Sequence, residues 1–523
     1  MSPSSRDPGS PRPGSAGPTE ATGPAEQTGA ETRGGGEGRL RVKFLSLAAG
    51  IAVAALVVLV LPDSLSTEGK MTAGVAALMA VWWATEAIPL PATALVPLVL
   101  FPILTGAEIG DVSAPYASDT IFLFMGGFML ALAMQRWNLH RRIALTIVAA
   151  VGTSPTMLIA GFMIASGFIT MWVSNTSTAV MMLPIGVAVI GMVAQLRDGK
   201  TDPNFATALM LGIAYSSSIG SVATLIGTPP NALMAAYLAE EQGIRIGFGQ
   251  WMMVGLPLAA VFLVIAWFVL TKVVFPPAIK KLEGGRELIR GELRAMGPAS
   301  TAEKLVLLVF VCAAAAWVGI PLLAEGPVGA ALPWLAQISD AGIAMTVAVV
   351  LFIIPAGGGR RTRLLDWDTA VQLPWGILLL FGGGLSLSAQ FSDTGLSEWI
   401  GQMVGGLAGI PVWLLVLIVA ALVLLLTELT SNTATAATFL PVMGGVAVGM
   451  NMDVMVLIVP AIIAATMAFM LPVGTPPNAI VFGSGHVTIQ QMMRGGLILN
   501  LVALVLIMAL MYTIAGQVLG FTL

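Results

Sequence analysis

One cysteine in 523 residues, Cys312, excludes an intrachain disulfide, and its apolar setting reads as packing. Two histidines, His140 and His486, leave no histidine-rich metal centre. No nucleophile–base pair stands out, so an enzyme is not expected. The chain has no Gly-x-x-x-x-Gly-Lys-Ser/Thr loop, which argues against ATP as its direct source of energy. Charge is scarce as well: Asp, Glu, Lys and Arg make up 10% of the residues. The net charge of -3 says little about partners, because the charges are so unevenly placed, and no nucleic-acid partner is expected.

What fills the chain instead is apolar sequence, 57% of all residues, the composition of an integral membrane protein. Residues 1–38 are rich in Pro, Gly, Ser and Thr and read as a disordered cytoplasmic tail. The segment 39–70 holds the first transmembrane helix, and Arg39, Arg41 and Lys43 before its apolar run keep the N-terminus cytoplasmic. Further spans are expected at 71–88, 89–104, 118–137, 204–240, 251–275, 304–323, 340–355, 371–390, 453–487 and 491–519. The runs 154–195 and 411–447 are longer, each with a polar motif near its middle, and are read as re-entrant hairpins. With hairpins there, Arg136, Arg141, Arg142, Arg197, Lys200, the basic 272–304 segment, Arg360, Arg361, Arg363 and Arg494 all fall on the cytoplasmic side. Only Lys70 and Arg245 fall outside, beside acidic loops at Glu108, Asp111, Glu240 and Glu241.

The polar motifs occur twice. Ser174-Asn175-Thr176 returns as Ser431-Asn432-Thr433, and Gly227-Thr228-Pro229-Pro230-Asn231 returns as Gly474-Thr475-Pro476-Pro477-Asn478. Two unusual signatures repeated in order mark an internal repeat. The fold class predicted is an all-α polytopic membrane protein of about 11 transmembrane helices plus the two hairpins, in two inverted-topology repeats. Repeat 1 spans 71–275 and repeat 2 spans 304–523, joined by a charged cytoplasmic linker, 276–303. The C-terminus is then extracytoplasmic. Segments 138–152 and 392–408 read as interfacial helices.

Ser, Thr and Asn side chains offer donors to a carboxylate and oxygens to a hard cation, with no fixed charge of their own. Tandem prolines forbid regular helix, freeing carbonyls and a fresh helix N-terminus at membrane depth. With no Lys or Arg in either signature, an anion's charge must be met by helix dipoles and by co-bound cations, of which sodium is the natural choice. Gly126-Gly127 and Gly382-Gly383-Gly384 read as close helix packing. Glu428, opposite Met171 in the repeat, reads as a structural hydrogen-bonding carboxylate, and Glu86 as an anchor at a span end.

These paired motifs resemble those of the divalent anion/sodium symporter family, and the similarity covers nearly everything after the tail. The resemblance implies a bacterial sodium-coupled dicarboxylate transporter of the cell membrane: a homodimer with a scaffold domain and an elevator-type transport domain. Carried over by motif position, the substrate-binding residues are Ser174, Asn175, Thr176, Thr228, Pro229, Ser431, Asn432, Thr433, Thr475 and Pro476. One sodium site maps to Thr170, Ser174, Asn175 and Gly227, the other to Thr427, Thr430, Asn432 and Gly474. The implied substrates are succinate, malate or fumarate. A sodium-independent exchanger and a tricarboxylate- or sulfate-preferring symporter of the same fold stay open, as does a channel-like or sensory membrane protein.

Overall fold

A computed structural model describes residues 33–152, 154–195, 200–279, 285–357, 362–404 and 409–522. Most of the expected tail lies outside them, as do Arg197, Lys280, Lys281, Arg360 and Arg361 of the charge pattern. Among the described residues the named elements are all helices, with one isolated bridge between Pro355 and Arg363. Helix α1 (Arg33–Val60) starts before residue 39, because no proline separates the end of the expected tail from the apolar run and helix propagates readily once nucleated. Pro62 follows its end. Ser66 caps α2 (Thr67–Thr85), which stops at Glu86 in the left-handed conformation. After a helical turn at Leu90–Thr93 come α3 (Val96–Leu104), α4 (Asp119–Arg136) and α5 (Leu139–Val151).

Helices α6 (Pro155–Thr170) and α7 (Asn175–Gln195) form a helix–turn–helix whose turn holds the first Ser-Asn-Thr. The stretch expected at 204–240 is two helices, α8 (Pro203–Ser221) and α9 (Pro229–Glu241), separated by irregular chain. Helix α10 (Phe248–Phe268) closes the first half, and α11 (Gly285–Ala295) lies in the linker. The second half runs α12 (Thr301–Glu325), α13 (Asp340–Ile353), α14 (Trp375–Asp393) and α15 (Leu396–Val404). A second helix–turn–helix follows, α16 (Val412–Thr427) and α17 (Asn432–Gly449). It leads to another broken pair, α18 (Met455–Thr466) and α19 (Pro476–Gly483), and to α20 (Ile489–Leu510). Among the described residues seven helices are long and apolar enough to cross a membrane, and shorter apolar helices such as Pro155–Thr170 and Val412–Thr427 accompany them.

The halves are interlocked through glycine. A side chain at Gly126 on α4 would collide with the backbone of Ala344 on α13. Likewise, one at Gly383 on α14 would collide with the backbone of Ala94, next to the Leu90–Thr93 turn. Each half's Gly-Gly helix thus rests on the other half, the close packing that small residues permit. Gly383→Val is expected to destabilise the protein by about 1–3 kcal/mol, since backbone cannot move aside as a flexible side chain can. Thermal unfolding of the purified variant measures this, and an unchanged midpoint would contradict the packing role.

The two ends of the bundle differ in charge. At one, Arg136 hydrogen-bonds to Asp366 and holds that carboxyl well below the usual carboxylate range. Nearby in sequence, Arg142 bonds Glu303 at 2.8 Å, and Arg141 bonds Glu292 of α11 at 2.8 Å. At the other end Ser392 donates to Glu241 at 2.8 Å, and Asp119 and Asp340 share one small cavity with Arg245. Cys312 departs from expectation: it is exposed on α12, where an outward-facing surface in lipid accepts an apolar side chain as readily as a core does.

Candidate functional site

The tandem prolines begin helices as well as interrupt them. Pro229 and Pro476 each occupy the first position of a new helix, where the missing N–H had no intrahelical partner to lose. The irregular chain before each helix is braced by the Asn that ends the motif. Asn231 Nδ2 donates to Val222 O (3.2 Å) and Thr224 O (2.9 Å). Asn478 Nδ2 donates to Ala468 O (3.1 Å) and Leu471 O (3.0 Å). These two asparagines fix the breaks.

Glu428 does the same work for the second break alone. Its carboxylate accepts from Phe469 N (2.7 Å), Met470 N (2.9 and 3.0 Å), Leu471 N (3.1 Å) and Asn500 Nδ2 (2.7 Å). The structural reading of Glu428 therefore holds. In the first half Met171 stands in its place, and the backbone oxygen of Met171 accepts from Thr224 of the facing break.

Helices α7, α9, α17 and α19 all start at one cavity of about 710 Å³, within the usual range for small-molecule pockets. It is lined by Asn175, Thr176, Thr228 and Pro229 from the first half, and by Thr430, Ser431, Asn432, Thr433, Gly474, Thr475 and Pro476 from the second. Each helix N-terminus carries roughly half a positive charge. Among the described residues no Lys or Arg lines the cavity, and Glu86 is the one charged residue that does. Glu86 stands at the end of a helix, as the sequence places it. Its φ of 46° ends α2 in a left-handed cap that turns the chain along the cavity wall.

Beside the cavity the second half gathers oxygens. The Asn432 amide oxygen lies 2.7 Å from Thr427 Oγ1, whose hydroxyl also donates to Ala465 O at 2.7 Å. That same amide position is 3.2 Å from both Gly474 O and Ala465 O. Oxygens facing one another repel unless the amide turns over and donates, or a cation sits among them. A cluster of carbonyl, amide and hydroxyl oxygens suits a hard cation. The backbone carbonyl of Ala465 carries no side-chain signal in sequence; only the unwinding after Thr466 brings it here. Thr430 points elsewhere, donating to Leu426 O at 2.9 Å and meeting Thr435 Oγ1 at 2.7 Å.

The first half is arranged differently. Thr170 is buried and donates back to Ser166 O (3.0 Å) and Gly167 O (3.1 Å) of its own helix. Asn175 Oδ1 accepts from Thr176 N at 2.8 Å, while the exposed Ser174 donates to Ser177 Oγ at 2.9 Å. Gly227 is buried in a short 3-10 turn. Ser174, Thr170 and Gly227 are thus not brought to the cavity wall. Among the described residues the buried hydroxyls of Ser166, Thr178 and Ser218 find no partner in this half. Thr178 has none because Val173 stands where the second half has Thr430.

The sequence matches the family profile described as the sodium:sulfate symporter transmembrane region over residues 41–521. The chain belongs to this family. Curated proteins are similar to it in sequence as well. A sodium-dependent dicarboxylate transporter SdcS of Staphylococcus saprophyticus is 42% identical over 464 residues, 88% of this chain and 88% of its own. An SdcS of Staphylococcus aureus strain USA300 is 40% identical over 466 residues, again 88% of each. Among solved structures, the YdaH transporter of Alcanivorax borkumensis aligns with a TM-score of 0.58 at 15% identity, covering 86% of this chain and 99% of that one. MtrF of Neisseria gonorrhoeae aligns with a TM-score of 0.53 at 14% identity, covering 87% and 96%. At such identities the likeness to solved structures is one of fold.

Proposed function

We propose that the chain is a secondary active transporter that couples sodium to the uptake of C4-dicarboxylates such as succinate, malate and fumarate. The cavity carries this reading: helix N-termini from both halves converge on it, no cationic side chain among the described residues lines it, and a cluster of oxygens lies beside it. The N-termini and the Ser-Asn-Thr hydroxyls and amides receive the carboxylates. Thr427, Asn432, Ala465 and Gly474 hold one sodium ion, and Thr170, Ser174, Asn175 and Gly227 close around another. Names of relatives over 40% identical support sodium and a dicarboxylate as the pair.

The two helix–turn–helix units act as re-entrant hairpins of inverted repeats. They move with α8, α9, α10, α18, α19 and α20 against a scaffold of α1–α4 and α12–α14, and two chains pair through their scaffolds. The clustering of Arg136, Arg141 and Arg142 at one end supports a cytoplasmic face there. On this topology α2 ends on the cytoplasmic side, so Glu86 and Leu90 in the cavity lining favour a cytoplasm-facing state, with the N-terminus inside and the C-terminus outside.

Two dianion charges in a cavity without a fixed cation face a desolvation cost of several kcal/mol each. Sodium therefore binds first, and sodium and substrate strengthen one another by a common factor. Succinate binding by the purified protein is expected to weaken about tenfold or more when choline replaces sodium, within the usual span of coupled sites. Labelled succinate should enter proteoliposomes only down a sodium gradient. Equal binding and equal uptake in choline would overturn the sodium coupling and leave the exchanger reading in its place.

A further inference from the structure

The halves meet the scaffold unequally. At the tip of the first hairpin, Trp172 packs edge-on against Phe310 at 4.7 Å and lies over Phe248 at 6.0 Å. Phe248 stacks on Trp317 at 4.6 Å. Trp172 and Phe248 belong to the moving part; Phe310 and Trp317 belong to the scaffold. Across the same boundary the Phe248 N–H, the first of α10, donates to the Asp340 carboxylate at 2.8 Å.

The repeat identifies the counterpart of each residue. Trp317 Nε1 donates to Asp340 O at 3.1 Å, as Trp83 Nε1 donates to Leu90 O at 3.2 Å. Gln250 accepts from Gly247 N at 3.4 Å and Gln491 from Thr488 N at 2.9 Å, which aligns Phe248 with Ile489. The shared motifs align Trp172 with Leu429 and Ile226 with Val473. In the first half these tips are buried, Trp172 at 8% exposure and Ile226 at 6%. In the second they are open, Leu429 at 67% and Val473 at 71%. Ile489 is exposed too. One docking set is closed and its twin is open.

The geometry points to Asp340 as a positioning residue that sets which side the cavity rests open to. This rests on the elevator reading above. In the outward-facing state the second set docks, with Leu429 and Ile489 meeting Trp83 and Leu90. That set has aliphatic side chains in place of Trp172 and Phe248, and Leu90 offers no carboxylate to the first N–H of α20. The docked set seen here is the stronger of the two, because an acceptor at a helix N-terminus gains from both the bond and the dipole. The carrier therefore rests toward the cytoplasm until sodium and substrate shift it, and external affinity is lowered by the fraction that must first turn outward.

The test uses the full-length protein in a Cys312→Ala background. A thiol introduced by Ile226→Cys reports the outward-open fraction through its reaction with an impermeant reagent added outside. Asp340→Ala is expected to speed that reaction roughly tenfold or more, the effect of losing one charge-assisted bond on a two-state equilibrium. It should also lower the external KM for succinate and raise the internal one. Asp340→Asn keeps a neutral acceptor and should shift the same readouts less, and it decides the question if Asp340→Ala does not fold. Trp172→Leu should move them in the same direction. If the reaction rate and the external KM in Asp340→Asn and Trp172→Leu equal those of the parent while succinate binding stays sodium-dependent, the positioning role is overturned and the transport reading stands. Loss of sodium dependence in the parent itself removes the transport reading instead.

Discussion

Asn432→Ala is expected to abolish sodium-driven succinate transport while leaving the fold intact. The amide touches the Thr427 hydroxyl on one side, approaches two backbone oxygens, and lines the cavity on the other. Removing it takes a ligand from the cation and a contact from the anion together. A lost bond to a charged group is worth about 1.5–3 kcal/mol, so the apparent affinities for sodium and for succinate should each fall by roughly 10- to 150-fold. Asn175→Ala should also stop transport, with the smaller effect on sodium binding, because Asn175 here accepts from Thr176 N and faces no comparable cluster. Calorimetric titration of both purified variants separates the two. Near-normal affinity for sodium and succinate in Asn432→Ala would reduce the motif to packing.

Glu428→Ala should unfold the second half's break. Three consecutive backbone N–H groups and the Asn500 amide point at this one buried carboxylate. Inside a membrane they have no water to turn to. Breaking such a buried charged arrangement from one side costs about 3–5 kcal/mol, a large share of the stability of a typical domain. Glu428→Gln should fare only somewhat better, since its NH2 would face donors. The thermal midpoint in detergent should fall clearly in both variants, and more in the alanine. A Glu428→Gln protein with the parent's midpoint but altered pH dependence of transport would instead assign the carboxylate to proton coupling.

Much of the site was legible because the chemistry lies in side chains that occur twice. Asn175, Thr228, Ser431, Asn432 and Thr475 announce themselves as polar groups in apolar sequence, and the cavity collects them. Ala465 could not be found that way, because its contribution is a carbonyl every residue possesses. The roles of Asn231 and Asn478 were hidden for the opposite reason: they sit inside the motif, yet they turn inward to brace the chain. Nor does a duplicated sequence reveal that its copies stand in different states. Thr170 and Thr427 are equivalent by position, but one closes on its own helix and the other reaches across to Ala465.

The crossing of Gly126 with Ala344 and of Gly383 with Ala94 bears on how the protein is made. The glycine face of α4 leaves the ribosome long before α13 exists. At ~5–20 residues per second, the first half must wait in the bilayer for roughly tens of seconds with that face uncovered. Lipid can cover it meanwhile, since a glycine-rich surface in hydrocarbon exposes little that needs hiding. Only when α13 and α14 insert do both crossings form, and they form between halves. Biogenesis therefore finishes late, and a chain truncated before α13 lacks both of the partner surfaces its own first half was built to receive.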